Sequence, residues 1–196
     1  MLHPDVRPAL SDLGGLGLRA TNHIPCGTAI WAPSDESLIL SSSEVEALPA
    51  ATYQWTDELG YRTKTGQLIL LENWGFLFNH SCDPNVLDFS LDFGIAVRDI
   101  EDDQELTIDY GSFPYDPPFR FPCKCGAANC TQWTENRSTD GNRPRLVRLV
   151  STALSLVGAV RQPLHSSLLS SSISYKALCS GVSIERLPDT SVCRHR

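Results

Sequence analysis

The sequence has no run of apolar residues approaching the ~20 that a bilayer-spanning helix needs. The longest candidate, Leu146 to Val160, is shorter and carries Arg148. The first ten residues, MLHPDVRPAL, hold no apolar core of the kind a secretory signal has, so neither a membrane partner nor a leader is expected. A dinucleotide fingerprint is also missing. Gly14-Gly-Leu-Gly-Leu-Arg-Ala20 lacks the G-x-G-x-x-G spacing, and no long helical pattern follows it. Basic residues are scarce in most of the chain: residues 1–133 carry 7 Lys and Arg against 19 Asp and Glu. Such a body is a poor binder of phosphate backbones, so direct nucleic-acid binding by it is not expected; it suits a basic peptide or protein, and the plainer reading is that the charge serves solubility. Residues 134–196 have the opposite balance, 9 basic and 4 acidic, and the whole chain nets −7.

What remains is an ordinary globular composition. The 196 residues are 41% hydrophobic and 20% charged, enough for one domain with a tail. The pattern before residue 134 is mostly β. Leu16–Ala20, Thr28–Ala32, Tyr61–Thr63, Gln67–Leu71, Val86–Phe89, Gly94–Arg98 and Glu105–Tyr110 read as short strands. Lys64-Thr-Gly66 reads as a hairpin turn, and Ser41 with Glu44 has capping-box spacing for a short helix ending before Pro49. Close spacing of short strands predicts small antiparallel sheets and not a parallel α/β fold. After residue 134, Ser166, Ser167, Ser170, Ser171, Ser172 and Ser174 dominate. This reads as a flexible basic tail with one short helix bracketed by Pro144 and Pro163.

Four segments carry candidate chemistry. Gly14–Ala20 lets the backbone turn tightly and approach a ligand; the plainer reading is a turn between strands. In Asn79-His-Ser-Cys-Asp-Pro-Asn85 an apolar run ends in polar groups that need partners when buried, as a hydrogen-bonded turn also would. In Glu105-Leu-Thr-Ile-Asp-Tyr-Gly111, Tyr110 closes a strand, where a hydroxyl can orient a substrate or simply pack. Of the 7 cysteines, three crowd into Cys123-Lys-Cys-Gly-Ala-Ala-Asn-Cys130. That spacing suits a tetrahedral Zn²⁺, with Cys82 the candidate fourth ligand, because Cys26 sits in a turn and Cys179 and Cys193 lie in the tail. The alternative is free thiols in a loop.

Together and in this order, the four segments resemble the SET-domain family of protein lysine methyltransferases. Asn79–Asn85 is similar to the family's NHSCxPN signature, Glu105–Gly111 to its ELTYDYG segment, Cys123–Cys130 to the post-SET zinc motif and Gly14–Ala20 to the opening G-x-G element. The resemblance implies a mostly β SET fold of small antiparallel sheets with a pseudoknot. It divides the chain into a SET domain (1–118), a post-SET zinc loop (119–133) and the tail (134–196). It implies S-adenosylmethionine as methyl donor and a protein lysine ε-amine as acceptor. Gly15, Leu16, Gly17, Asn79, His80, Tyr110 and Trp133 would contact the cofactor, with Tyr110 catalytic. Phe76, Phe78 and Ile108 would wall the lysine channel, and Cys82, Cys123, Cys125 and Cys130 would hold zinc.

The chain departs from the pattern in three places. Ile108 stands where relatives have an aromatic residue, no Cys-rich pre-SET region is present, and the substrate-selecting segment Ser34–Leu70 is short. The expected partner is therefore a protein lysine in a basic context, with histone one candidate, and the location is inside the cell, nucleus or cytoplasm. Two other readings remain open: a catalytically silent SET module that binds a basic peptide, and a structural zinc ribbon. The latter explains only Cys123–Cys130.

Overall fold

Short β-branched and leucine-rich runs, broken by Gly, Pro and Asp, form four small sheets among the described residues. The structure is a computed structural model and describes residues 1–32, 34, 37–62, 68–70, 74–88, 91–112, 120–135, 143–183 and 186. The expected hairpin turn at 64–66, the strand end at Phe89 and Cys193 lie outside these residues.

In chain order the strands and helices are β1 (Val6–Leu10), β2 (Leu16–Ala20), β3 (Ala29–Trp31), β4 (Leu38–Leu40), α1 (Ser42–Glu46), α2 (Ala50–Leu59), β5 (Tyr61–Arg62), β6 (Leu68–Leu70), β7 (Asn79–His80), β8 (Val86–Leu87), β9 (Gly94–Ala96), β10 (Glu105–Ile108), β11 (Arg120–Pro122), β12 (Trp133–Glu135), α3 (Arg143–Leu156), α4 (His165–Ser171) and α5 (Ile173–Cys179). The sheets run β1-β2-β10-β7, β3-β9-β8, β4-β6-β5 and β11-β12. All pairings among them are antiparallel except β7 with β10, which is parallel and sets Asn79 against Thr107 and His80 against Ile108. That one pairing places two segments distant in sequence side by side. The capping box at α1 forms as expected, with the Ser41 hydroxyl accepting from the Glu44 amide.

Strand β1 was not expected. Pro8 cannot donate to a ladder, but β1 lies at the edge of its sheet, where a missing donor is tolerated.

The flexible tail is corrected by the structure. Residues 143–179 hold three helices, and Leu146, Val150, Ala153, Leu154, Val157, Leu164, Leu168 and Tyr175 are buried in one cluster with Leu87, Phe93, Ile95 and Val97 of the β3-β9-β8 layer. The physical reason is the spacing 146, 150, 153, 154, 157, which places one apolar stripe on a helix face. The serines do not oppose this. Ser170 and Ser171 hydroxyls donate to the Ser167 carbonyl, and Ser172 caps α5 by accepting from the Tyr175 amide. Asp92 binds the same cap: the Ser172 hydroxyl and the Ile173 amide both donate to it, at 2.5 and 2.6 Å.

A second cluster joins Leu18, Ala20, Ile24, Ile30, Phe78, Val86, Ile100, Leu106 and Ile108 under the β1-β2-β10-β7 sheet. No helix among the described residues is long and apolar enough to cross a membrane.

Candidate active site and thiol cluster

The β7–β10 pairing brings Asn79, His80 and Tyr110 to the wall of one open cleft of about 450 Å³. A cleft of this size accommodates a ligand of cofactor dimensions. Leu13 from the β1–β2 turn lines it on one side, and Phe121, Lys124 and Cys125 on another.

The Asn85 side chain explains why β10 stays in register. Its Nδ2 donates to the Glu105 carbonyl at 2.8 Å, and its Oδ1 accepts from the Thr107 amide at 2.8 Å. The Ser81 amide donates to the Ile108 carbonyl at 2.9 Å. On the other side of the sheet the Asn79 Nδ2 donates to the Leu16 carbonyl at 3.0 Å and to Glu105 Oε1 at 2.7 Å. Ser11 donates to the other Glu105 oxygen at 3.0 Å. A Cβ at Gly17 would collide with Glu105 Oε1 and stand 2.8 Å from Asn79 Nδ2, so a larger residue here must displace the ends of both side chains. Gly14 and Gly15 take left-handed φ of +94° and +78° in the turn before it.

Tyr110 follows the end of β10. Its hydroxyl donates to the Phe78 carbonyl at 2.6 Å, and its ring lies 5.4 Å from that of His80. Burial, with the Glu105 carboxylate nearby, pushes its pKa up to about 12. Phe78 and Ile108 belong to the second buried cluster, and Phe76 lies 6.0 Å from Trp74, ring to ring. Trp133 sits on β12 with the Arg120 guanidinium over its ring at 4.3 Å, and its strand neighbour Thr134 is the one that lines the cleft.

Below the cleft, His80, Cys82, Cys123 and Cys125 converge, with their ligand atoms all within 4.8 Å of one another. Cys82 Sγ lies 3.9 Å from Cys123 Sγ and 3.4 Å from His80 Nε2. The Cys130 side chain contacts those of Cys123 and Cys125. Burial raises the Cys125 thiol, but hydrogen bonds from the Cys82 and Ala127 amides and from Cys123 and Cys130 outweigh it and bring it to about 7. Burial is the main force on Cys123, pushing it up to about 12.

His80 offers a fifth donor atom, and its hydrogen bonds decide what it does with it. The Tyr110 amide donates to Nδ1 at 3.1 Å, so Nδ1 is an acceptor. Asp109 Oδ1 is 3.7 Å from the same nitrogen, beyond hydrogen-bond reach, and accepts from the Gly111 amide. The ring proton then sits on Nε2, the nitrogen aimed at Cys82. In this tautomer His80 donates to the Cys82 sulfur, and its ring stands among the possible metal donors together with Cys82, Cys123 and Cys125.

The SET-domain family profile matches residues 15–111. Residues 15–111 are a SET domain. The H3 lysine-9 specific histone-lysine N-methyltransferase of Schizosaccharomyces pombe is 28% identical over 153 residues, which cover 61% of this chain and 30% of that protein. The Drosophila melanogaster histone-lysine N-methyltransferase trr is 30% identical over 140 residues, 64% of this chain and 6% of that one. The chain thus spans less than a third of either relative. Among solved structures, KRYPTONITE in complex with mCHG DNA and SAH matches at a TM-score of 0.48 and 21% identity, covering 68% of this chain and 29% of that chain.

Cys82, Cys123 and Cys125 with His80, and Cys130 next to them, offer a donor set that soft, tetrahedral Zn²⁺ accepts. Sequence reasoning passed over several residues of the site. Glu105 and Asn85 lie inside the two motifs, yet their partners are Asn79, Ser11 and the β10 backbone, contacts that no local spacing reveals. Lys124 and Leu13 reach the cleft only because the cysteine loop and the β1–β2 turn fold toward it.

Proposed function

We propose that this SET domain transfers a methyl group from S-adenosylmethionine to the ε-amine of a protein lysine. The observation that carries the reading is the fixed Tyr110 hydroxyl, anchored on the Phe78 carbonyl beside His80 at the cleft. S-adenosylmethionine, when bound, supplies an electrophilic methyl on a sulfonium. The open cleft lined by Leu13, Asn79, His80 and Tyr110 is the fit the chain offers such a ligand, with Gly15, Leu16, Gly17, Asn79 and His80 holding it and Trp133 flanking it.

The lysine must react as the neutral amine, although free lysine titrates near ~10.4. A channel walled by Phe76, Phe78, Ile108 and Tyr110 disfavours the ammonium form by desolvation. Tyr110 does not take that proton as a base, because its own pKa of about 12 keeps the hydroxyl protonated. Its proton is committed to Phe78, so its lone pairs remain to accept an N–H from the amine and aim the nitrogen. Alignment of two reactants in one channel then carries much of the acceleration. Cys82, Cys123, Cys125 and Cys130 would hold a zinc ion that pins the loop 119–133 beside the cleft. The acceptor we infer is a basic segment, in keeping with the acidic body and with the histone-lysine activity named for the relatives.

The test is incubation of the chain with methyl-labelled S-adenosylmethionine and a cell extract, followed by hydrolysis of the labelled bands. Methyl-lysine supports the reading. Binding of S-adenosylmethionine without label on any protein supports the silent module instead.

A further inference from the structure

We propose that Arg145 on α3 is a positioning residue for the loop His80–Asn85, which makes the C-terminal helices part of the active unit. Its functional consequence rests on the methyltransferase reading above.

The loop residue Asp83 is gripped from two sides. Arg98 holds it with both terminal nitrogens, at 2.9 and 2.8 Å. Arg145 Nη2 donates to Asp83 Oδ1 at 2.5 Å, and Nη1 donates to the Cys82 carbonyl at 3.4 Å. The same carbonyl accepts from Asn129 Nδ2 at 3.3 Å, and the Cys82 amide faces Cys125 Sγ at 3.5 Å. The peptide group of Cys82 is thus pinned by the cysteine loop and by α3 together. Cys82 stands two residues after His80, and the loop leads from cleft to thiol cluster.

Arg145 does not swing freely to make this contact. Its neighbour Leu146 is 2% exposed in the cluster that α3 shares with Phe93 and Ile95. Farther along, α3 packs so closely on Gly27 that a Cβ there would stand 2.7 Å from Leu156. The helix is therefore a fixed base, and the guanidinium fork reaches two points of the loop from it. Asp83 and Arg145 side chains are 38% and 29% exposed, so geometry and not bare charge is what Arg145 supplies. A lysine would keep the charge and lose the two-point contact.

The test uses the full chain carrying Arg145→Gln, Arg145→Lys or, as an exposed control on the same helix, Arg148→Gln. Two quantities are read: hydrogen exchange of the amides at 80–85, and affinity for S-adenosylmethionine by calorimetry. Arg145→Gln is expected to speed loop exchange and weaken binding about tenfold, the lower end of what losing a residue that orients site groups costs. Its melting temperature is expected to match that of Arg148→Gln. Arg145→Lys should recover part of both effects, and it decides the matter if Arg145→Gln does not fold. Exchange and affinity equal to those of Arg148→Gln overturn the proposal, as does faster exchange with unchanged affinity. A wild-type chain that binds no S-adenosylmethionine defeats the methyltransferase reading, and loop exchange alone then decides the brace.

Discussion

The Tyr110 amide donates to Nδ1 of His80 at 3.1 Å across thirty residues of sequence. This bond joins the ends of β7 and β10 and sets the ring so that Nε2 faces Cys82. If the imidazole is a donor to sulfur and not a ligand, zinc binding survives its loss. Metal analysis of purified His80→Gln is expected to give close to the wild-type zinc content, whereas Cys82→Ser and Cys123→Ser lose most of it. Equal loss in all three variants would make His80 a ligand.

Tyr110 is raised to about 12 by burial, above the ~10 of a free tyrosine. The folded state favours the neutral phenol, so its contribution to stability is whole below pH ~10 and is lost as pH climbs toward 12. Ultraviolet titration of wild type minus Tyr110→Phe should show a phenol ionising near 12. Ionisation near 10 would mean the ring is solvated.

Gly17→Ala drives a methyl into Glu105 and Asn79. The expected cost is about 1–3 kcal/mol in urea unfolding, with weaker S-adenosylmethionine binding because Asn79 must move. Gly158→Ala, in open space, serves as the control and should cost almost nothing.

The C-terminal helices contribute core. Leu168 is fully buried on α4, and Leu168→Ala should cost about 2–5 kcal/mol by urea denaturation. Ile173, 60% exposed, should tolerate Ala within about 0.5 kcal/mol. Matching losses at the two positions would mean α4 is not docked.

Residues whose chemistry is local were legible in the sequence. Asn79–Asn85, Tyr110 and Cys123–Cys130 stand out because buried polar groups and clustered thiols need partners, and β2 emerges with the bounds expected for that short run. Residues whose meaning depends on a distant partner were not. Arg145 is one more basic side chain until α3 is set beside Asp83, and Glu105 is a strand-edge acid until Asn79 lies over it. The tail misled because serine favours loops, while Ser172 here is buried against Asp92 and caps a helix. Helix α2 went unseen since its start signal, Pro49, also reads as a stop to α1.

The proposed function turns on the Tyr110 hydroxyl orienting methyl transfer in the cleft. A single-turnover assay with labelled S-adenosylmethionine tests it, comparing wild type with Tyr110→Phe on a lysine-containing acceptor while cofactor binding is followed in parallel. Label on lysine is expected with wild type, with at least ~100-fold slower transfer in the variant and near-equal cofactor affinity in both. Transfer by Tyr110→Phe at the wild-type rate would contradict it.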